Sequence, residues 1–174
     1  MTNPIQINPQ VASIPYGDRK RIIDACRGKS DLIQLASGNP HMPMPPYVVE
    51  RLRDELRSGY APYTNYYGYL ETREKIAEHL SEEYDIEADP EEELLVTVGV
   101  QEALYLVMRS TLMPGDEVLM PSPHYAEYYL NAKACGCEPV LVPLDEDEGW
   151  VPDLDRLRDA ITPKSRGIVF CHPN

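Results

Sequence analysis

Three short stretches carry residue types that can do chemistry, and each follows an apolar run. Residues 94–98 (LLVTV) are rich in β-branched side chains and lead through Gly99 into Val100 and Gln101. Where a strand turns through glycine into a helix, the first backbone N–H groups of that helix lack intrahelical acceptors. With the helix dipole behind them they form a site for an anion such as a phosphate. The second stretch is Pro121-Ser122-Pro123-His124-Tyr125. Its two prolines stiffen the turn and hold an aromatic ring that can stack on a planar heterocycle. The third is Cys171-His172-Pro173-Asn174, where an asparagine amide can meet an oxygen of a bound cofactor. Taken singly, each stretch has a plainer reading, since glycine also makes tight turns and tyrosine also packs cores.

Other chemistries lack their residues. There is no GxGxxG fingerprint and no GxxxxGK[ST] loop, so neither a dinucleotide nor a nucleoside triphosphate is favoured. Cys135-Gly136-Cys137 lacks the two-residue spacer of a zinc knuckle or redox motif, and Cys26 and Cys171 stand apart. Buried thiols in a reducing compartment are the expectation. His41, His79, His124 and His172 are isolated, with no second ligand at helical spacing. The acidic runs at 89–93 and 145–148 have no ligand spacing either and read as solvated loops. No metal site is expected.

These stretches need a scaffold, and the hydrophobic pattern supplies one. An irregular arm precedes a short helix over 18–27, and 32–36 reads as a short strand before the turn cluster Ser37-Gly38-Asn39-Pro40. Val48, Leu52 and Leu56 repeat at helical spacing after a proline-rich stretch. A tyrosine-rich loop over 58–69 leads into a strong helix over 70–84, where Glu71 and Lys75 are spaced to pair. From there the chain alternates: strand 94–98, helix 100–113, strand 117–121, helix 124–135, strand 138–144, helix 153–161 capped by Asp153, and strand 166–171. Near-continuous apolar strands joined by helices predict an α/β fold with a parallel sheet covered on both faces. Ligands of such sheets bind beyond the carboxyl ends of the strands, where the three stretches lie.

The bulk numbers fit an ordinary domain. The chain has 174 residues, enough for one real core. Its net charge of −13 repels phosphate backbones, so nucleic acid is not an expected partner. No apolar run is long enough to span a bilayer, and the first ten residues show no basic-then-apolar leader, so no membrane partner and a cytoplasmic location are expected.

Together the pieces become specific. SGNP at 37–40, YTNYYGYLETREKIA at 63–77, VTVGVQEALYLVMRSTLMPGDEVLMPSPHYAEY at 96–128 and AITPKSRGIVFCHPN at 160–174 closely resemble the class I/II aminotransferases. These are pyridoxal-phosphate enzymes of the aspartate-aminotransferase fold, and the resemblance runs from about residue 30 to the end. It implies pyridoxal 5'-phosphate as cofactor, an amino acid and a 2-oxo acid as substrates, and a homodimer. Residues 1–45 would then be an N-terminal arm with part of the small domain, and 46–174 the first part of the cofactor-binding large domain, its sheet incomplete.

The resemblance also implies roles. Gly99, Val100 and Gln101 match the phosphate loop, with the backbone N–H groups of Val100 and Gln101 on the cofactor phosphate. Relatives often carry lysine where Gln101 stands, a change that a backbone contact tolerates. Tyr125 matches the residue that stacks on the pyridine ring. Tyr63 matches the tyrosine that reaches the partner subunit's cofactor phosphate. Gly38 matches the glycine whose backbone meets the substrate carboxylate, and Tyr16 matches an arm residue lining the partner's substrate pocket. Asn174 opens the Asn-Asn-Pro-type loop that bonds the cofactor's phenolic oxygen; either Asn174 or the residue after it would be the ligand.

The family's Schiff-base lysine, the aspartate on the ring nitrogen and the arginine on the substrate carboxylate have no match here. Lys20, Lys29, Lys75, Lys133 and Lys164 lie in predicted helices or polar loops. The expectation is therefore an N-terminal part of an aminotransferase that is not catalytically competent alone. The alternatives are a lyase or synthase of the same fold, or a non-catalytic module kept for dimerisation or ligand sensing.

Overall fold

A computed structural model describes residues 5–12, 14, 18–33, 35, 40–59 and 62–172. The chain forms two compact units, one of Met1–Lys20 with Val98–Asn174 and the other of Arg21–Thr97. In chain order the helices are α1 (Pro9–Ala12), α2 (Asp18–Cys26), α3 (Pro46–Ser58), α4 (Leu70–Tyr84), α5 (Gly99–Thr111), α6 (Ala126–Ala134) and α7 (Leu154–Asp159). The strands are β1 (Glu117–Ser122), β2 (Glu138–Pro143) and β3 (Ser165–Ile168).

The three strands form one parallel sheet in the order β2-β1-β3. Leu119 of the central strand pairs with Val140 on one side and Ile168 on the other. Val118, Leu119 and Met120 of β1 are buried, Met120 completely, because a central parallel strand is covered on both faces. Its side chains alternate between two cores. Val118 and Met120 pack with Met108 of α5, Ala132 of α6, Cys135 and Cys137. Leu119 packs on the opposite face with Val142 and Leu157 of α7. Full burial of a side chain such as Met120 stabilises the sheet by about 1.5–3 kcal/mol.

Burial also holds the Cys135 and Cys137 thiols above the ordinary cysteine range. Protonated thiols in an apolar core are inert, and none of the four cysteines forms a disulfide.

Asp153 caps α7 as its position predicts, accepting from the backbone N–H groups of Asp155 and Arg156. Two predicted strands are not formed by the described residues. Residues 94–98 run extended into α5 without a ladder; Val96 N–H donates to the Tyr67 carbonyl at 3.1 Å. A strand exists only with a neighbour to pair with, and Leu95, Val96 and Val98 stand exposed. At 32–36, the described residues Leu32, Ile33 and Leu35 carry no strand. The final strand is shorter than its apolar run: Val169 N–H still reaches the Leu119 carbonyl, and the chain then leaves the sheet. Lys75 pairs with Glu78 rather than Glu71, since both carboxylates lie within one turn of it.

In the other unit, Arg73 of α4 is the buried charged residue among those described. It donates to the Pro90 and Glu91 carbonyls and lies 5.8 Å from the centroid of the Tyr67 ring. One side chain thereby ties α4 to the turn at 90–93 and to the loop before the helix.

Candidate functional site

The strand order builds a crevice. From β1 the chain crosses through α6 to β2 on one side, then through α7 to β3 on the other. Successive crossovers in opposite directions put α6 and α7 on opposite faces of the sheet, with the chain leaving β1 and the chain leaving β3 side by side at its carboxyl edge. That is the switch point where parallel sheets bind ligands. An open hollow of about 820 Å³ lies there. Pro121 and Pro123 line it from the end of β1, Leu144 and Trp150 from the chain after β2, and Phe170 and Cys171 from the chain after β3.

Two helices aim their N-termini at this edge. Helix α5 passes into β1 through the short turn at 112–116, where Gly115 N–H meets the Gly136 carbonyl beside the start of β2. It therefore runs antiparallel to the strands. Thirteen residues of helix extend about 20 Å, and six residues of strand extend about 20 Å. The first turn of α5 thus stands level with the carboxyl edge of the sheet. Helix α6 begins at the same edge, straight after β1.

Gly99 opens α5 with φ +75°, a left-handed conformation that suits glycine, and a Cβ there would meet nothing within 4 Å. The requirement is conformational, and the turn stays open to an approaching group. Val98 and Val100 beside it are 89% and 60% exposed. The Glu102 carboxylate accepts the Val98 N–H at 2.5 Å. The first-turn donors of Val100 and Gln101 are the set the sequence assigns to an anion. The donor chemistry therefore fits a phosphate.

Tyr125 is the N-cap residue of α6 and is 44% exposed. Tyr128 holds it edge-on, with ring centroids 5.7 Å apart and planes at 84°. Tyr128 in turn stacks with His124, whose Nδ1 donates to the Tyr125 carbonyl at 2.9 Å. Burial first, then the neighbouring Cys171, raises the Tyr128 phenol above its ordinary value. Tyr128 thus lies beside the chain leaving β3. A half-exposed ring oriented by an aromatic neighbour fits a planar cofactor.

Of the residues assigned from sequence, Gly99, Val100, Gln101 and Tyr125 belong to the unit that contains this edge. Tyr63 belongs to the other unit and is fully exposed. Gly38, Tyr16 and Asn174 lie outside the described residues. Sequence reasoning missed Trp150, which follows an acidic turn, takes φ +62° and lines the hollow. It also missed Asn131, whose amide reaches Gln101 from the neighbouring helix. A lone tryptophan after a run of turn residues was the available signal for the first; nothing local marks the second.

The lysines near the sheet stand at its other edge. Lys133 lies in the last turn of α6 and pairs with Glu138 at the start of β2. The Lys164 carbonyl accepts from Glu117 N–H at the start of β1.

Among the described residues no helix is long and apolar enough to cross a membrane. The family model for aminotransferase class I and II matches residues 30–174. The chain is 38% identical to the aspartate/prephenate aminotransferase of Thermus thermophilus over 83% of its own length and 37% of that protein's. It is 30% identical to aromatic-amino-acid aminotransferase 2 of Thermococcus litoralis over 89% of this chain and 40% of that one. Among solved structures, the Thermus thermophilus aspartate aminotransferase with maleate superposes with a TM-score of 0.89 at 32% identity, over 98% of this chain and 45% of that one. The chain thus spans about two fifths of the length of the curated relatives it matches. With the family model covering most of its length and the fold agreeing, the chain belongs to the class I and II aminotransferases.

Proposed function

We propose that the carboxyl edge of this sheet is the phosphate- and ring-binding side of a pyridoxal 5'-phosphate site. The enzyme is a cytoplasmic homodimer that exchanges an amino group between an amino acid and a 2-oxo acid. The observation that carries this reading is the convergence of two helix N-termini, one opening on glycine and one capped by a half-exposed tyrosine, at the switch point of a parallel sheet. Bound there, the cofactor supplies a carbonyl for the amino group and a ring that accepts electrons.

This chain's residues bind and orient. The N–H groups of Val100 and Gln101, with Gly99 shaping the turn, hold the phosphate. Tyr125 lies against one face of the ring, held by Tyr128. Asn174 lies in the loop that meets the phenolic oxygen. Tyr63 reaches the partner's phosphate, a role that its full exposure allows. Gly38 and Tyr16 serve the substrate carboxylate and the partner's substrate pocket. Residues 1–45 act as arm and small-domain segment, and 46–174 as large domain. Neither Lys133 nor Lys164 stands at the binding edge, so the amine that anchors the cofactor comes from a lysine other than these.

Trp150 is the sole tryptophan of the chain and lines the hollow, so its fluorescence reports binding. Titration with pyridoxal 5'-phosphate is expected to quench it saturably, with affinity at least about tenfold above that for pyridoxal, as charge-assisted phosphate contacts require. Equal affinities, or no saturable quenching, would overturn the reading. Amino-group transfer is tested on the product of the complete reading frame, by following 2-oxo acid formed from amino acid donors and 2-oxoglutarate. Elimination products in its place would assign a lyase.

A further inference from the structure

We infer that Asn131 is a positioning residue, whose side chain sets the anion-binding turn of α5 against the Tyr125 platform of α6. The inference rests on the cofactor reading above. Asn131 Nδ2 donates to the carbonyl of Glu127 in its own helix at 2.8 Å and to Gln101 Oε1 across the helix pair at 2.9 Å. Both hydrogens of the amide are thereby used, and the side chain is held in one orientation. Gln101 is the third residue of α5, and its backbone belongs to the phosphate cradle. Asn131 lies in the helix that starts beside Tyr125. The bond links the two halves of the site.

Apolar packing does not do this alone. The buried contacts between α5 and α6 centre on Met108, Ala132 and Cys135, with Leu104, Tyr128 and Tyr129 partly buried against that cluster. One turn beyond Leu104, Val100 is largely exposed. The amide pair adds a directional link from the first turn of α5 to α6. That pair is not an economical source of stability, because Gln101 Nε2 is buried with no partner. Two apolar side chains at these positions would avoid burying an unpaired donor. The polar pair therefore contributes orientation, through a directional bond between two oriented amides.

The test uses two variants of the protein, Asn131→Leu and the pair Asn131→Leu with Gln101→Met. Each is measured by urea midpoint and by equilibrium dialysis with pyridoxal 5'-phosphate and with pyridoxal, which has no phosphate. Asn131→Leu orphans the Gln101 amide and is expected to lower the midpoint. The pair is expected to restore the midpoint, since both polar partners are gone, while affinity for pyridoxal 5'-phosphate stays about fivefold below wild type and that for pyridoxal stays within about twofold. A pair that remains destabilised overturns the inference, because the bond would then serve stability. A pair that binds pyridoxal 5'-phosphate like wild type, or loses affinity equally for both ligands, also overturns it and leaves the cofactor reading standing. A wild-type protein that binds both ligands equally sinks the cofactor reading and this inference together.

Discussion

Glu102 Oε2 accepts the backbone N–H of Val98 at 2.5 Å, closing the first turn of α5 from four residues downstream. The carboxylate complements the helix dipole, yet it adds a negative charge at the turn assigned to a phosphate. Glutamine keeps the acceptor and removes the charge. Glu102→Gln is therefore expected to tighten binding of pyridoxal 5'-phosphate about two- to fivefold at low ionic strength, with the gain fading in high salt. The thermal midpoint should fall slightly, since charge at a helix N-terminus contributes about 0.3–1 kcal/mol. Dialysis at two salt concentrations checks the first effect and a melting curve the second. Unchanged affinity at low salt would place the anion elsewhere.

Tyr125 offers a ring face, and its hydroxyl has no assigned role. Tyr125→Phe is expected to bind pyridoxal 5'-phosphate within about twofold of wild type. Tyr125→Ala should lose about tenfold, near the upper end of what an aromatic pair contributes beyond its area. The loss should extend to pyridoxal, because stacking does not need the phosphate. Fluorescence titration with both ligands separates this pattern from that of the Asn131 variants.

Gly68 stands at φ +90°, and a Cβ built on it would lie 2.8 Å from Cβ and Cγ2 of Val96. Gly68→Ala combines left-handed strain with overlap and is expected to destabilise the protein by about 2–4 kcal/mol, read from the urea midpoint. Adding Val96→Ala removes the overlap and should recover part of the loss. The backbone conformation remains, so full recovery would contradict the assignment.

Asp153 links stability to pH. Hydrogen bonds from the Arg156 and Asp155 backbone hold its carboxyl below the ordinary aspartate value of 3.8. A depressed folded-state value means that the cap's contribution is fully present above the unfolded-state value. It is lost as pH falls through the folded-state value. In Asp153→Asn an amide oxygen still accepts, so acid unfolding should depend less steeply on pH below about 4. Urea midpoints across the acid range, wild type against variant, decide it; parallel curves would remove Asp153 from the account.

How much was legible beforehand varies by element. Helix α4 was readable because Leu70, Ala77, Leu80 and Tyr84 mark one face within a single segment, and α7 because Asp153 caps it within three residues. The turn into α5 was readable because Gly99 lies directly between an apolar run and a helical one. These are local relationships along the chain, and propensity and spacing encode them.

Strand pairing is not local. Residues 94–98 and 117–122 look alike as apolar runs, yet only the second finds neighbours on both sides and becomes the central strand. The order β2-β1-β3, which makes the crevice, depends on which edges meet after collapse. So does the bond between Asn131 and Gln101, thirty positions apart, since two amides on different helices carry no mark of their pairing. By itself the sequence determined six of the helices, the Asp153 cap, the glycine turn and the family, while the short α1 fell in a stretch read as an irregular arm. Tertiary packing decided which apolar runs are strands, how the chains leaving β1 and β3 come to line a hollow, and what holds α5 to α6, because each depends on non-local contacts.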